Sequence, residues 1–119
     1  RNDDGSVGYT AHAPNNDNGV ITPTAALSSF PYTPKQSMDF LKFLYTEKPE
    51  FIGSAGPYDA TSIHYNNWTT PRYLAIDQGT ITPMIENYRT GLLWKLFMNV
   101  PEVQQGLKKL GFHSTQYGF

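Results

Sequence analysis

The sequence predicts an all-α fold in which buried and half-exposed helices alternate, and three observations predict it. Thr22-Pro23, Thr33-Pro34 and Thr82-Pro83 each put a hydroxyl at an N-cap and a proline in the first turn, where a missing N–H has no intrahelical partner to lose. Apolar residues then recur at helical spacing. Finally, Leu92-Leu93-Trp94-Lys95-Leu96-Phe97-Met98 is apolar all round but for one lysine, the mark of a helix enclosed by other elements.

Taken in order, residues 1–19 are polar and rich in Asn, Asp and Gly, with no apolar period, which reads as a loop or an entry strand fragment. The run Asn15-Asn16-Asp17-Asn18-Gly19 suggests a calcium loop. Aligning Gly19 with the loop glycine, however, puts Pro14 first and Ala25 last, where carboxylates are required. Pro23 opens a short helix through Phe30 whose Ala25, Ala26 and Leu27 permit close packing. Pro34 opens a second to about Glu47, with Gln36 in the capping-box position. Its expected core stripe is Met38, Leu41, Leu44 and Tyr45, with Lys35, Asp39 and Lys42 facing out.

Lys48 to Gln78 has no sustained period and carries Pro49, Gly53, Gly56, Pro57 and Pro71. A connection of that length in a compact domain is usually functional or disordered. Phe51, Tyr58, Tyr65, Trp68 and Tyr73 give it apolar surface that a disordered linker lacks.

The third helix is expected to start near Thr82 and run about five turns with Ile81, Met84, Ile85, Tyr88, Leu92 and Leu96 on one face. This is the inner helix, with Asp77 at its mouth. The last begins at Pro101, aligns Val103, Leu107 and Leu110, and ends at Gly111. The alternation is what an inner and an outer ring of helices would show. Four helices cannot close such a ring, so further sequence is expected to complete the domain.

A net charge of −1 without a Lys/Arg cluster excludes a nucleic-acid footprint or polybasic membrane patch. Lys95 interrupts the one strong apolar run, well short of the roughly 20 residues that span a bilayer. With no cysteine there is no thiolate chemistry. His12, His64 and His113 lack metal-ligand spacing, so no metal site is expected. Phosphate-loop and nucleophile-elbow motifs are missing too, and no cofactor is implied.

What remains for chemistry is carboxylates, aromatics and amides. Asp77 precedes the buried helix, whose N-terminal N–H groups favour an anion. It is either a general base or substrate-binding carboxylate, or an ordinary acid at a helix end. Asp59 is a second loop acid. Glu86 and Arg89, three apart, suit an intrahelical ion pair, unless the inner position turns Glu86 toward a cleft. Tyr58, Tyr65 and Trp68 beside His64, Asn66 and Asn67 suit stacking on sugar rings, or simply pin the loop to the body.

Pro71-Arg72-Tyr73-Leu74 with Ile76-Asp77-Gln78-Gly79, followed by Ile85-Glu86-Asn87-Tyr88-Arg89-Thr90-Gly91-Leu92, closely resembles the C-terminal part of the glucoamylase-like proteins, which include bacterial endo-β-1,2-glucanases. Pro23-Thr24-Ala25-Ala26-Leu27, Tyr58-Asp59-Ala60 and Asn67-Trp68 fall in the same order. The resemblance implies an (α/α)6 toroid with a central glucan cleft, of which residues 1–119 would be the C-terminal part and the rest lies outside this sequence. It implies catalytic carboxylates at Asp77 and Glu86, and sugar contacts at Asp59, Trp68, Tyr73 and Gln78. A periplasmic or secreted setting is implied as well.

The function expected is hydrolysis of β-1,2-glucan or its oligosaccharides by paired carboxylates. An inverting pair stands about 6.5–9.5 Å apart. The alternatives are a glucan-binding helical module without a competent acid and a helical scaffold domain covered by another subunit.

Overall fold

The computed structural model describes residues 13–119, so His12 and the first part of the polar entry segment lie outside the described residues. Five helices follow one another: α1 Pro23–Ser28, α2 Pro34–Thr46, α3 Ala75–Thr90, α4 Leu92–Met98 and α5 Pro101–Lys109. A 3-10 turn, Pro49–Phe51, leads into the connection between α2 and α3. That connection holds two minimal antiparallel ladders. Strand β1 (Ile52–Gly53) pairs with β2 (Gly56–Pro57), with Ile52 opposite Pro57. Strand β3 (Thr61–Ser62) pairs with β4 (Trp68–Thr69), with Ser62 opposite Trp68.

The core is small and lies where α1, α2 and the start of the connection meet. Leu27, Phe30, Leu44 and Phe51 are buried, and Phe40, Leu41, Ile52, Ile81 and Ile85 pack against them. Ser37 ties α2 to α1 by donating to the Ala26 carbonyl at 2.9 Å. The Ser28 and Thr80 hydroxyls, 2.7 Å apart, tie α1 to α3. On α2 the buried face is Ser37, Phe40, Leu41 and Leu44, whereas Met38 and Tyr45 are exposed. The expected stripe was therefore right at Leu41 and Leu44 and wrong at its two ends, because α1 reaches only one side of the helix.

Two helix starts, at Pro23 and Pro34, are as expected, although neither N-cap threonine caps with its hydroxyl. The Thr33 hydroxyl instead donates to the Ser29 carbonyl at 3.2 Å. The expected start near Thr82 is overturned: α3 begins seven residues earlier, at Ala75, with Pro83 inside it. An interior proline costs about 3 kcal/mol. Packing against α1 and the core through Thr80, Ile81 and Ile85 offsets that cost. Asp77 thus belongs to the first turn of α3 rather than to a loop ahead of it.

The inner helix is also not continuous. Gly91 adopts φ 68, the left-handed region, and separates α3 from α4. Buried Asn87 accepts the Trp94 N–H at 3.1 Å and Thr90 Oγ1 accepts that of Leu92 at 3.2 Å, so the new helix start is capped from the helix before it. At the end of α5, Gly111 donates to the Lys108 carbonyl and Phe112 to that of Leu107, each at 3.0 Å. With Gly111 at φ 82 this is a Schellman ending.

Leu92, Leu93, Trp94, Leu96 and Phe97 are all exposed, the last two at 61%. Trp94 meets Tyr32 at a ring separation of 6.2 Å, and Gln104 of α5 donates to the Met98 carbonyl at 2.9 Å, yet the apolar side chains of α4 stay largely uncovered. The Cα radius of gyration is 18.1 Å, against about 13 Å for a compact globule of this length. The helices lie side by side around an unclosed core.

Candidate active site

The site forms where the first turn of α3 meets the connection. Asp59 and Asp77, eighteen positions apart in sequence, share a side-chain hydrogen bond. Asp59 is buried at 1% exposure, and Asp77 is half-buried. The hydrogen bond to Asp59, then burial, then the charge of Asp59 hold the Asp77 carboxyl above its ordinary value of 3.8. The helix N-terminus would favour the anion. A second carboxyl at hydrogen-bond range is the stronger influence, because both cannot ionise without repulsion.

Three contacts bring the 57–59 corner to the first turn of α3 and to the segment that leads into it. Gln78 Nε2 donates to the Pro57 carbonyl at 2.5 Å. The Asp59 N–H donates to the Arg72 carbonyl at 3.2 Å. Between these clamps Tyr58 and Tyr73 stack, centroids 5.4 Å apart and planes at 24°. The pair rests on Gly53: a methyl group there would overlap the Tyr73 hydroxyl and lie 2.8 Å from the Tyr58 ring carbon and hydroxyl. Gly53→Ala should therefore swing both rings outward, destabilising the protein by about 1–3 kcal/mol, as overpacking does. Urea unfolding measures this, and an unchanged midpoint would show that the rings are not seated on Gly53.

Of the residues singled out from sequence, the structure brings Asp59, Tyr73, Asp77 and Gln78 together. Trp68 lies elsewhere, opposite Ser62 at the far end of the second ladder, about 10 Å of extended chain beyond Asp59. Around it, Asn66 and Asn67 take the left-handed turn at φ 54 and 55, and Lys48 Nζ donates to Asn67 Oδ1 at 3.0 Å. Glu86 is separate as well. Nine residues along one helix is a rise of about 13.5 Å and a net half-turn from Asp77, more than an inverting pair spans. Its oxygens accept the Thr90 hydroxyl at 2.6 Å and lie 3.6 Å from Arg89 Nη1, which is the intrahelical pair that the spacing suggested.

Sequence reading assigned no role to Gly53 or to the Pro57 and Arg72 carbonyls. Gly53 and Gly56 flanking a two-residue turn were the available signal for a close approach; nothing in a sequence marks which carbonyl a glutamine will find. Among the described residues, no group of three His, Asp or Glu side chains could hold a metal ion, and no helix is long and apolar enough to cross a membrane.

A profile of the family described as "Putative glucoamylase" matches residues 1–101. The chain is 47% identical over 98 residues to an exo-β-1,2-glucooligosaccharide sophorohydrolase of Parabacteroides distasonis, covering 82% of this chain and 14% of that protein. Among solved structures, a protein of the same glucoamylase description from Bacteroides uniformis superposes with a TM-score of 0.85 at 57% identity, covering 92% of this chain and 26% of that one. The endo-β-1,2-glucanase of Chitinophaga pinensis, solved with sophorotriose and glucose, gives 0.84 at 57% identity, covering 92% of this chain and 27% of that one. The chain thus spans about a quarter or less of the relatives it matches, and it shares the helical fold of that part of them.

Proposed function

This chain belongs to the glucoamylase-like family, and on that premise we propose that the intact protein is a glycoside hydrolase acting on β-1,2-glucan or its oligosaccharides. Residues 1–119 form the C-terminal part of one (α/α)6 domain, whose other helices cover the apolar faces of α4 and build the rest of the cleft. The exposed leucines and aromatics of α4 and the small share of each relative that is spanned support this.

One observation carries the hydrolytic reading. Within a chain 57% identical to an endo-β-1,2-glucanase, a buried and a half-buried carboxyl share a hydrogen bond beside a stacked pair of tyrosines. A carboxyl with a raised pKa is suited to proton transfer near neutral pH. Flat aromatic faces beside it suit sugar rings. Asp77 acts on the scissile bond as one member of a carboxylate pair, and an inverting reaction requires its counterpart across the bond. Glu86 joins the catalytic set only if the cleft reaches the opposite side of α3. Tyr73, Gln78 and Trp68 line the sugar path, the last at a more distant subsite.

The test is incubation of the intact protein with β-1,2-, β-1,3- and α-1,4-glucans, following reducing ends and the anomeric configuration of fresh products by NMR. Cleavage of the β-1,2-linked substrate with release of the α-anomer is expected. Binding without turnover would leave a glucan-binding module, and selective cleavage of the α-linked glucan would overturn the substrate.

A further inference from the structure

The resemblance placed Asp59 among the sugar contacts, but at 1% exposure its side chain offers almost no surface to a ligand. Its surroundings describe another task. Gln78, adjacent to Asp77, grips the Pro57 carbonyl at 2.5 Å. The Asp59 N–H is held by the Arg72 carbonyl at 3.2 Å. The stack of Tyr58 on Tyr73 closes the same corner from the side. These contacts press the 57–59 corner onto the first turn of α3 and leave the Asp59 carboxyl against that of Asp77.

We propose that Asp59 is a positioning residue that does not touch the glucan: from its buried seat it holds the Asp77 carboxyl by a hydrogen bond and controls whether Asp77 meets the substrate as acid or as carboxylate. This rests on the reading of Asp77 as the catalytic acid or base. Two carboxyls at this range keep one proton between them. The Asp77 carboxyl is held above its ordinary value, with the hydrogen bond to Asp59 as the leading cause.

The other ionisable groups near the corner are the phenols of Tyr58 and Tyr73, stacked on one another, and the exposed Arg72. On its own helix the next charged side chains after Asp77 are Glu86 and Arg89, about 13.5 Å and more along the axis. Asp59 is therefore the ionisable group that acts most directly on Asp77.

Asp59→Asn in the intact protein tests this. An amide can still donate to the Asp77 carboxylate but carries no charge. The limb of the kcat/KM pH profile that belongs to Asp77 should move to lower pH by about one unit or more. At pH 7 kcat should fall about tenfold or more, with KM changed less than about twofold. A pH limb that stays in place, or a raised KM at unchanged kcat, would overturn the proposal and return Asp59 to the sugar contacts.

A second measurement needs no activity and no Asp59 variant. In the intact native protein with carboxyl-13C aspartate, NMR should show Asp77, assigned by its loss in Asp77→Asn, titrating above 3.8. A midpoint at or below 3.8 overturns the proposal. Should the native protein fail to cleave β-1,2-glucan while Asp77 titrates high, the substrate reading fails and the coupling of the two aspartates stands.

Discussion

Asp77→Asn in the intact protein should slow hydrolysis of β-1,2-glucan on the order of a hundredfold or more, the usual range for losing a positioned proton-transfer group. The amide keeps the size of the carboxyl and most of its hydrogen bonding, so the fold should survive. The same variant should also change how stability depends on pH. Because the folded pKa of Asp77 lies above 3.8, the native state holds a proton that the unfolded chain has released between 3.8 and the raised folded value. Stability from this group is fully present below 3.8 and is lost as pH rises through that window. Asp77→Asn removes the downward slope, which urea unfolding at a series of pH values would show. Near-normal turnover at saturating substrate would take Asp77 out of the catalytic set. Glu86→Gln in the same assay decides Glu86: a loss as large as that of Asp77→Asn would mean that the cleft also reaches the Arg89 side of α3.

Phe51→Ala should be the most damaging change to stability, costing about 3–5 kcal/mol. Phe51 is among the largest fully buried side chains and touches the cluster of Leu27, Phe30 and Leu44. It sits at the entry to the connection, with Lys48 Nζ 5.9 Å from its ring centre. Its carbonyl accepts the Tyr58 N–H at 2.9 Å, so a cavity there loosens the backbone that carries the tyrosine stack and Asp59. Turnover should fall together with the unfolding midpoint. A loss of less than about 1 kcal/mol would mean that this cluster is not the structural centre of the region.

The helix boundaries differ in how local their causes are. Pro23 and Pro34 mark true helix starts because a first-turn proline is a local property of the backbone, and Gly111 ends α5 for an equally local reason. The same logic failed at Pro83, where a favourable local reading competed with packing of residues 75–81 on α1 and lost. Gly91 is a third case. It sits inside an unbroken apolar pattern, and only the left-handed turn with its Asn87 and Thr90 caps divides α3 from α4.

By itself, then, the sequence determined the helical class, the boundaries set by proline and glycine, the apolar excess of 92–98 that this chain leaves uncovered, and the residue types that can handle a sugar and a proton. These follow from periodicity, backbone restriction and side-chain chemistry, all of which act over a few residues. Tertiary structure alone decided which acids meet. Asp59 and Asp77 are joined through Gln78, the Arg72 carbonyl and a tyrosine stack that needs a bare Cα at Gly53. Glu86, on the same helix as Asp77, is carried about 13.5 Å away by the helical rise. Contacts between residues distant in sequence depend on how elements pack, and no local pattern along a chain encodes them.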